Sequence, residues 1–242
     1  MFTVLILHPS HRFEPVARHL AYKWRFLTGL RDNGTMTADQ LHEALAHFSA
    51  PTRTWFAGAF SAPTAAQAGA WKAISAGQHA LIVAPTGSGK TLSAFLWALD
   101  RLHFENDARA ETGSAGQGSG GAASAPVGGT RVLYISPLKA LGVDVERNLR
   151  APLIGIAQTA KSLGVQPPEV RVGVRSGDTP PKERRALISS PPDILITTPE
   201  SLFLMLTSKA AGILKTVDTV IIDEIHALAG TKRGVHLALT LE

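Results

Sequence analysis

Ala84-Pro85-Thr86-Gly87-Ser88-Gly89-Lys90-Thr91 is the stretch that decides the reading of this chain. It follows a short apolar run, His79 to Val83, and leads into an apolar-periodic stretch from Leu92 to Leu102. A strand, a glycine-rich turn and a helix in that order make a cradle for phosphate. Gly87 and Gly89 let backbone N–H groups turn inward where any Cβ would obstruct them. The helix beginning beside Lys90 points its free N–H groups and positive dipole end at the same anion. In this frame Thr86, Gly87, Ser88 and Gly89 wrap the phosphates. The Lys90 ammonium reaches the β- and γ-phosphates, and the Thr91 hydroxyl holds Mg²⁺. The first position is Ala84 rather than the usual glycine, which leaves the catalytic part of the loop unaffected.

A second stretch completes the first. Thr219-Val220-Ile221-Ile222-Asp223-Glu224 is an apolar strand ending in two acids, the Walker B pattern to the Walker A pattern above. Acids at the carboxyl end of a buried parallel strand lie in the crevice where ligands bind. Asp223 is expected to anchor Mg²⁺ through its water shell, and Glu224 to orient and deprotonate the attacking water. Two solvated acids at the start of the next helix are the plainer alternative. The phosphate loop upstream favours the catalytic one. A glutamate next to the metal-binding aspartate points to hydrolysis, with Lys90, Asp223 and Glu224 as the catalytic set.

The 242 residues suffice for one large α/β domain or two small ones, and 45% apolar with 18% charged residues is ordinary for a globular protein. There are no cysteines, so disulfides and Cys-based metal sites are excluded, and a reducing cytoplasm fits. No apolar run approaches the ~20 residues of a membrane span, so no membrane association is expected. Met1 to Leu7 is apolar but lacks a leading basic region and a cleavage site, so it does not read as a signal peptide. The formal charge of +5 is unevenly placed. Residues 1–35 hold five Lys/Arg and two acids, while the remainder holds 19 basic and 17 acidic residues. Net charge alone is thus a weak argument for nucleic acid.

Residues 1–35 are basic and rich in His and aromatics, without a clean period. Two readings stay open: an extension upstream of a start at Met36, or an accessory arm. From Met36 a capping box, Thr37 with Gln40, precedes Leu41, Leu45 and Phe48 at helical spacing, and Pro51 is expected to end that helix. Thr64 and Gln67 form another capping box, opening a helix that turns Trp71 and Ile74 inward and stops at Gly77. Glu111 to Thr130 holds seven glycines and one charge, and reads as a flexible surface loop within the domain. Four further apolar runs follow, at 132–135, 170–174, 194–197 and 220–222. Helical stretches at about 139–163, 180–189, 200–214 and 224 onward separate them. Alternating strands and helices predict an α/β domain over 36–242, a parallel sheet with helices on both faces.

Taken in order, the landmarks resemble a known group. Gln67, Ala84 to Thr91, Ser136-Pro137-Leu138-Lys139-Ala140-Leu141, Thr197-Thr198-Pro199-Glu200-Ser201 and Asp223-Glu224-Ile225-His226 look like the Q motif and motifs I, Ia, Ic and II of DEAD/DEAH-box-like superfamily two helicases. The runs 175–179 (RSGDT), 197–206 (TTPESLFLML) and 223–234 (DEIHALAGTKRG) look like the large helicase-related (Lhr) family, over about residues 40–242. The resemblance implies a RecA-like P-loop NTPase domain. It also implies an ATP- and Mg²⁺-dependent motor acting on DNA, single-stranded or 3′-tailed duplex, linked to DNA repair. It assigns adenine recognition to Gln67, whose amide suits adenine N6 and N7. The capping-box role is the alternative there. Phe56 and Phe60 are open to adenine stacking or to core packing. Ser136, Lys139 and Thr198 sit at or just past strand ends, where successive DNA phosphates would be held; for Thr198 plain helix capping is the alternative. Arg175 and Thr179 are further nucleic-acid candidates, or a solvated turn. His226 takes the place that couples the nucleotide site to nucleic acid. Lys232 and Arg233 read as solvated.

The family continues beyond such a stretch with a Ser-Ala-Thr motif III and a second RecA-like domain, which supplies an arginine finger. The resemblance puts motif III on a strand between the Walker A and Walker B strands. The chain ending at Glu242 is therefore expected to be an N-terminal fragment lacking a central strand, weak in ATP binding and hydrolysis by itself. Two other functions remain: a DEAD-box-type RNA helicase, against which Asp223-Glu224-Ile225-His226 argues, and a truncated nucleotide- or nucleic-acid-binding module without turnover.

Overall fold

The computed structural model describes residues 2–7, 43–85, 89–112 and 129–241. Six strands form one sheet: β1 (Phe2–Leu7), β2 (Ala80–Ala84), β3 (Val132–Ile135), β4 (Val172–Arg175), β5 (Ile194–Thr197) and β6 (Thr219–Ile222), in the order β2-β1-β6-β3-β5-β4. β6, β3, β5 and β4 pair in parallel, as the alternation of strands and helices predicts. The apolar runs of β3, β5 and β6 are buried on both faces, the condition under which parallel strands lose the polar alternation of half-exposed ones.

Helices cover both faces. On one lie α1 (Ala50–Ala59), α2 (Ala65–Ser75), α3 (Lys90–Thr112) and α4 (Lys139–Ser162), whose Phe56, Trp71, Phe95 and Ile156 share a core with Ile82, Tyr134 and Ile221 of the sheet. On the other, α6 (Pro199–Leu206), α7 (Ala211–Leu214), α8 (Ile225–Leu228) and α9 (Lys232–Leu241) pack Leu202, Met205, Ile213, Leu228 and Leu237 against Leu133, Leu195 and Ile222. A further helix, α5 (Pro181–Ser189), follows β4 and buries none of its side chains.

Three sequence expectations need correction. Residues 2–7, set apart with 1–35, are a strand of this sheet. β1 lies between β2 and β6 and runs antiparallel to both, with Phe2 opposite Ala84 and Leu5 opposite both Leu81 and Ile222. The position expected to be vacant is filled from the other end of the chain. Pro51 does not simply end a helix: it lies in the first turn of α1, capped by Ser49, where its missing N–H costs nothing. The helix expected over 200–214 breaks between α6 and α7, where the Thr207 hydroxyl donates to Phe203 O and Leu204 O and Ser208 Oγ to Met205 O. Hydroxyls competing for backbone groups weaken helix continuation. The Gly-rich stretch 113–128 lies outside the described residues, as does the helix expected over 36–42.

Candidate nucleotide site and the strand ends around it

α2 and the phosphate loop are tied by Gln67. Thr64 Oγ1 accepts from Gln67 N at 3.3 Å, and Gln67 Oε1 accepts from Thr64 N at 2.9 Å, so the capping box is complete. The same amide donates through Nε2 to Gly89 O at 3.4 Å. Gly89 has φ +76°, a conformation that favours glycine, and a Cβ there would stand 2.5 Å from Gln67 Nε2, so the amide would have to move aside. Thr86, Gly87 and Ser88, together with the side chain of Lys139, lie outside the described residues.

Lys90 opens α3 and is buried. Its ammonium donates to Ala84 O at 2.9 Å and to Pro85 O, folding over the carboxyl end of β2. Burial lowers its pKa, while Glu224 and Asp223 pull it back up. The charges of those two acids thus reach Lys90. Thr91 follows, half-buried in the first turn of the same helix.

Asp223 leaves β6 with its N–H on Ile135 O at 2.9 Å. Its Oδ1 accepts the Glu224 N–H at 2.9 Å, and its Oδ2 accepts the Tyr134 hydroxyl. Tyr134 stacks on Phe95 at 5.0 Å, and burial with the Asp223 charge pushes its pKa well up, so it stays a donor. Glu224 adopts a left-handed φ of 47°, unusual for a residue with a side chain. Burial, then the Asp223 charge, raise its pKa; His226 and Lys90 lower it. Glu224 Oε2 is buried without a hydrogen bond among the described residues, and His226 Nδ1 lies 3.2 Å away without hydrogen-bond alignment. A buried carboxylate oxygen with no hydrogen bond among the described residues can accept one from a polar ligand such as water.

The nucleic-acid candidates cluster at the carboxyl ends of β3, β5 and β4. Ser136 N donates to Thr197 O at 2.9 Å, and Thr197 Oγ1 donates to Arg175 O at 2.8 Å, so the three ends are stitched together. The Ser136 hydroxyl donates to Leu138 O at 3.0 Å. Thr198 caps α6, accepting from Ser201 N at 3.4 Å, which realises the capping alternative. Thr179 Oγ1 accepts from Ser176 N at 2.9 Å and fixes the turn after β4. Arg175 is 8% exposed, and its Nη1 is buried with no hydrogen-bond partner among the described residues. Burial and the Arg184 charge both disfavour its cation. Phe56 is buried against Trp71, the core-packing alternative, whereas Phe60 stays exposed.

Two residues escaped the sequence reading. Tyr134 lay hidden in an apolar run. Arg233, read as solvated, donates from Nε to Glu200 Oε1 at 2.6 Å and from Nη2 to Pro137 O at 3.0 Å. It thereby joins the segment after the Walker B acids to both strand-end loops. Only the fold brings positions 137, 200 and 233 together.

The profile of the DEAD/DEAH box helicases matches residues 64–242. The chain belongs to that family. It is 60% identical over 83% of its length to the Lhr helicase/probable uracil glycosylase of Mycolicibacterium smegmatis, and 54% identical over 81% to the Lhr helicase/uracil glycosylase of Escherichia coli. The resemblance to Lhr proteins is thus borne out. The chain spans about 12% of the length of either relative. A solved structure of the Mycobacterium smegmatis helicase Lhr bound to ssDNA and AMP-PNP superposes with TM-score 0.69 at 57% identity, covering 81% of this chain and 23% of that one. The RecA-like fold follows from that match. Among the described residues no helix is long and apolar enough to cross a membrane.

Proposed function

We propose that this chain is the first motor domain of an ATP-dependent DNA helicase. The observation that carries the proposal is the convergence of Lys90, Asp223 and Glu224 at one crevice beside the stitched ends of β3, β5 and β4. The likeness to a helicase solved with ssDNA and a nucleotide analogue supports it.

Each residue has a part. The loop 86–89 and the amino end of α3 bind the phosphates through backbone N–H groups. Lys90 exchanges its two carbonyl partners for phosphate oxygens, a favourable trade of neutral acceptors for anionic ones. Gln67 turns its amide from the cap to the adenine. Mg²⁺ fits the donor set: Asp223 is a buried carboxylate held by two donors, and Thr91 offers a hydroxyl. With one carboxylate and one hydroxyl from the protein, the rest of the shell would come from nucleotide phosphates and water. The ion supplies charge neutralisation at the phosphates. Glu224 accepts the proton of the attacking water through its open oxygen. Arg175, buried beside Arg184 with a free N–H, suits a DNA phosphate, and Ser136, Lys139, Thr179 and Thr198 line the path. His226 answers to a second RecA-like domain, which the full-length protein supplies together with an arginine finger. A role in DNA repair is part of the same proposal, as the resemblance to the Lhr family implies.

ATPase assays with single-stranded DNA and RNA of equal length test this. Stimulation by DNA above RNA, abolished by Glu224→Gln with nucleotide binding retained, is the expected result. Equal turnover by wild type and Glu224→Gln would refute it.

A further inference from the structure

α5 (Pro181–Ser189) follows β4 and buries none of its side chains. A helix of that length does not persist unsupported in water. Two attachments hold it. Leu187 fills the space over Gly173 of β4, where an added Cβ would stand 2.7 Å from Leu187 Cδ2 and 2.9 Å from Pro192 Cγ. Arg184 ties the helix to the turn before it: Nε donates to Thr179 O at 2.7 Å and Nη2 to Gly177 O at 2.6 Å. The planar fork spans two carbonyls of one turn, a geometry that a lysine ammonium does not reproduce.

That turn begins directly after Arg175. Ser176 N donates to Thr179 Oγ1 at 2.9 Å, Thr179 N to Ser176 O at 3.3 Å and Asp178 N to Ser176 Oγ at 3.2 Å. On the sheet side, Arg175 O accepts from Thr197 Oγ1 at 2.8 Å. The main chain at Arg175 is thus held from the sheet, and the residues after it are held by Arg184.

The two guanidiniums differ in what they bind. Arg184 commits Nε and Nη2 to carbonyls. Arg175 is buried, and its Nη1 has no hydrogen-bond partner among the described residues. Burial and the charge of Arg184 act together against its cation. A buried cation beside a like charge, with an N–H left open, is an arrangement that an anion would relieve. The strand path proposed above brings phosphate oxygens to these strand ends.

We propose that Arg184 is a positioning residue. Through the carbonyls of Gly177 and Thr179 it holds the open Arg175 N–H in place for a phosphate group of a bound strand, without touching the strand itself. α5 is then a brace for that corner of the sheet. The role rests on the proposed strand path.

In the full-length protein, anisotropy of a labelled oligothymidylate over a range of salt concentrations tests this. Arg175→Met should weaken binding about tenfold, the scale of one hydrogen bond to a charged group. It should also flatten the plot of log K against log salt by about 0.7, the share of one phosphate on a single strand. Arg184→Lys keeps the charge and loses the fork, and should reproduce both changes. The double variant should bind no more weakly than Arg175→Met, because a residue that acts through another adds nothing once its target is gone. Wild-type affinity in Arg184→Lys would overturn the proposal. So would losses that multiply in the double variant, the result expected of a merely structural role or of a separate contact with the strand. If Arg184→Lys fails to fold, Leu187→Ala loosens the other attachment of α5, and the same cycle with Arg175→Met decides. Inorganic phosphate bound by a protein that holds no single strand, and weakened by Arg175→Met and Arg184→Lys alike, supports the positioning role and sinks the strand path instead. Binding of neither sinks both.

Discussion

The two strands that end in the proposed nucleotide site are anchored very differently. β6 has β3 beside it in parallel register over four residue pairs, and β5 and β4 continue the sheet beyond. Its Asp223 is held from two further directions, by the Tyr134 hydroxyl and the Glu224 N–H. Among the described residues β2 is an edge strand, paired with one antiparallel neighbour from the far end of the chain. One half of the site is a rigid platform. The other is a loop on a strand whose hold is separable from the rest of the sheet.

The sharpest test of the platform is Glu224→Gln. Removing a general base costs about 10²–10⁴-fold in turnover. Because β6 is independently anchored, the thermal midpoint should hardly move; a large drop would break the comparison. Next, Ile221→Ala opens a cavity in the centre of the better-anchored flank, at a side chain with no solvent exposure. We expect a loss of about 2–5 kcal/mol in urea unfolding, felt as one global transition. Hydrogen exchange should meanwhile show β1 and β2 opening below the global free energy and β3, β5 and β6 only with it. Equal protection in β2 and β3 would erase the distinction.

Tyr134→Phe is a smaller change that sharpens the role of the platform. It deprives buried Asp223 Oδ2 of its donor, at a cost of about 1–3 kcal/mol. A Mg²⁺ titration of ATP hydrolysis should show a raised metal requirement, since a less constrained carboxylate is a poorer anchor. The smallest effect belongs to Arg233→Ala. Its pair with Glu200 is half-exposed, so stability should change by no more than about 1 kcal/mol. The Arg233 hydrogen bond holds the Glu200 carboxyl below its usual pKa. A depressed carboxyl pKa adds stability above the unfolded value and loses it as the pH falls. The wild type and Arg233→Ala melts should therefore differ at neutral pH and draw together as the pH falls below about 4.3, the unfolded glutamate value. DNA stimulation of ATP hydrolysis should fall even where stability does not, because Arg233 bridges Pro137 and Glu200.

What could be read without coordinates was local. The glycine at 89, the capping box of Thr64 and Gln67, the apolar runs of β3, β5 and β6, and the acids at 223 and 224 all announce themselves within a few residues. Their physics, backbone conformation, cap geometry and strand burial, acts over that distance. The misreadings were of two kinds. Pro51 and the break near Thr207 depend on which of two adjacent helices claims a residue, a choice made by packing. β1, Tyr134 and Arg233 depend on partners far along the chain. Tyr134 meets Asp223 across 89 residues, and Arg233 meets Pro137 across 96. No window of sequence contains such a pair.

The sequence by itself determined an α/β domain of buried parallel strands and pointed to a phosphate loop and two acids as one proposed nucleotide site, because each is written as a residue pattern. Only the tertiary structure decided what stands between the two halves of that site. Six apolar residues at the amino end give no local sign of being an interior strand, since a strand has no partner of its own. The edges of β2 and β6 and the two cores on either side gave them one.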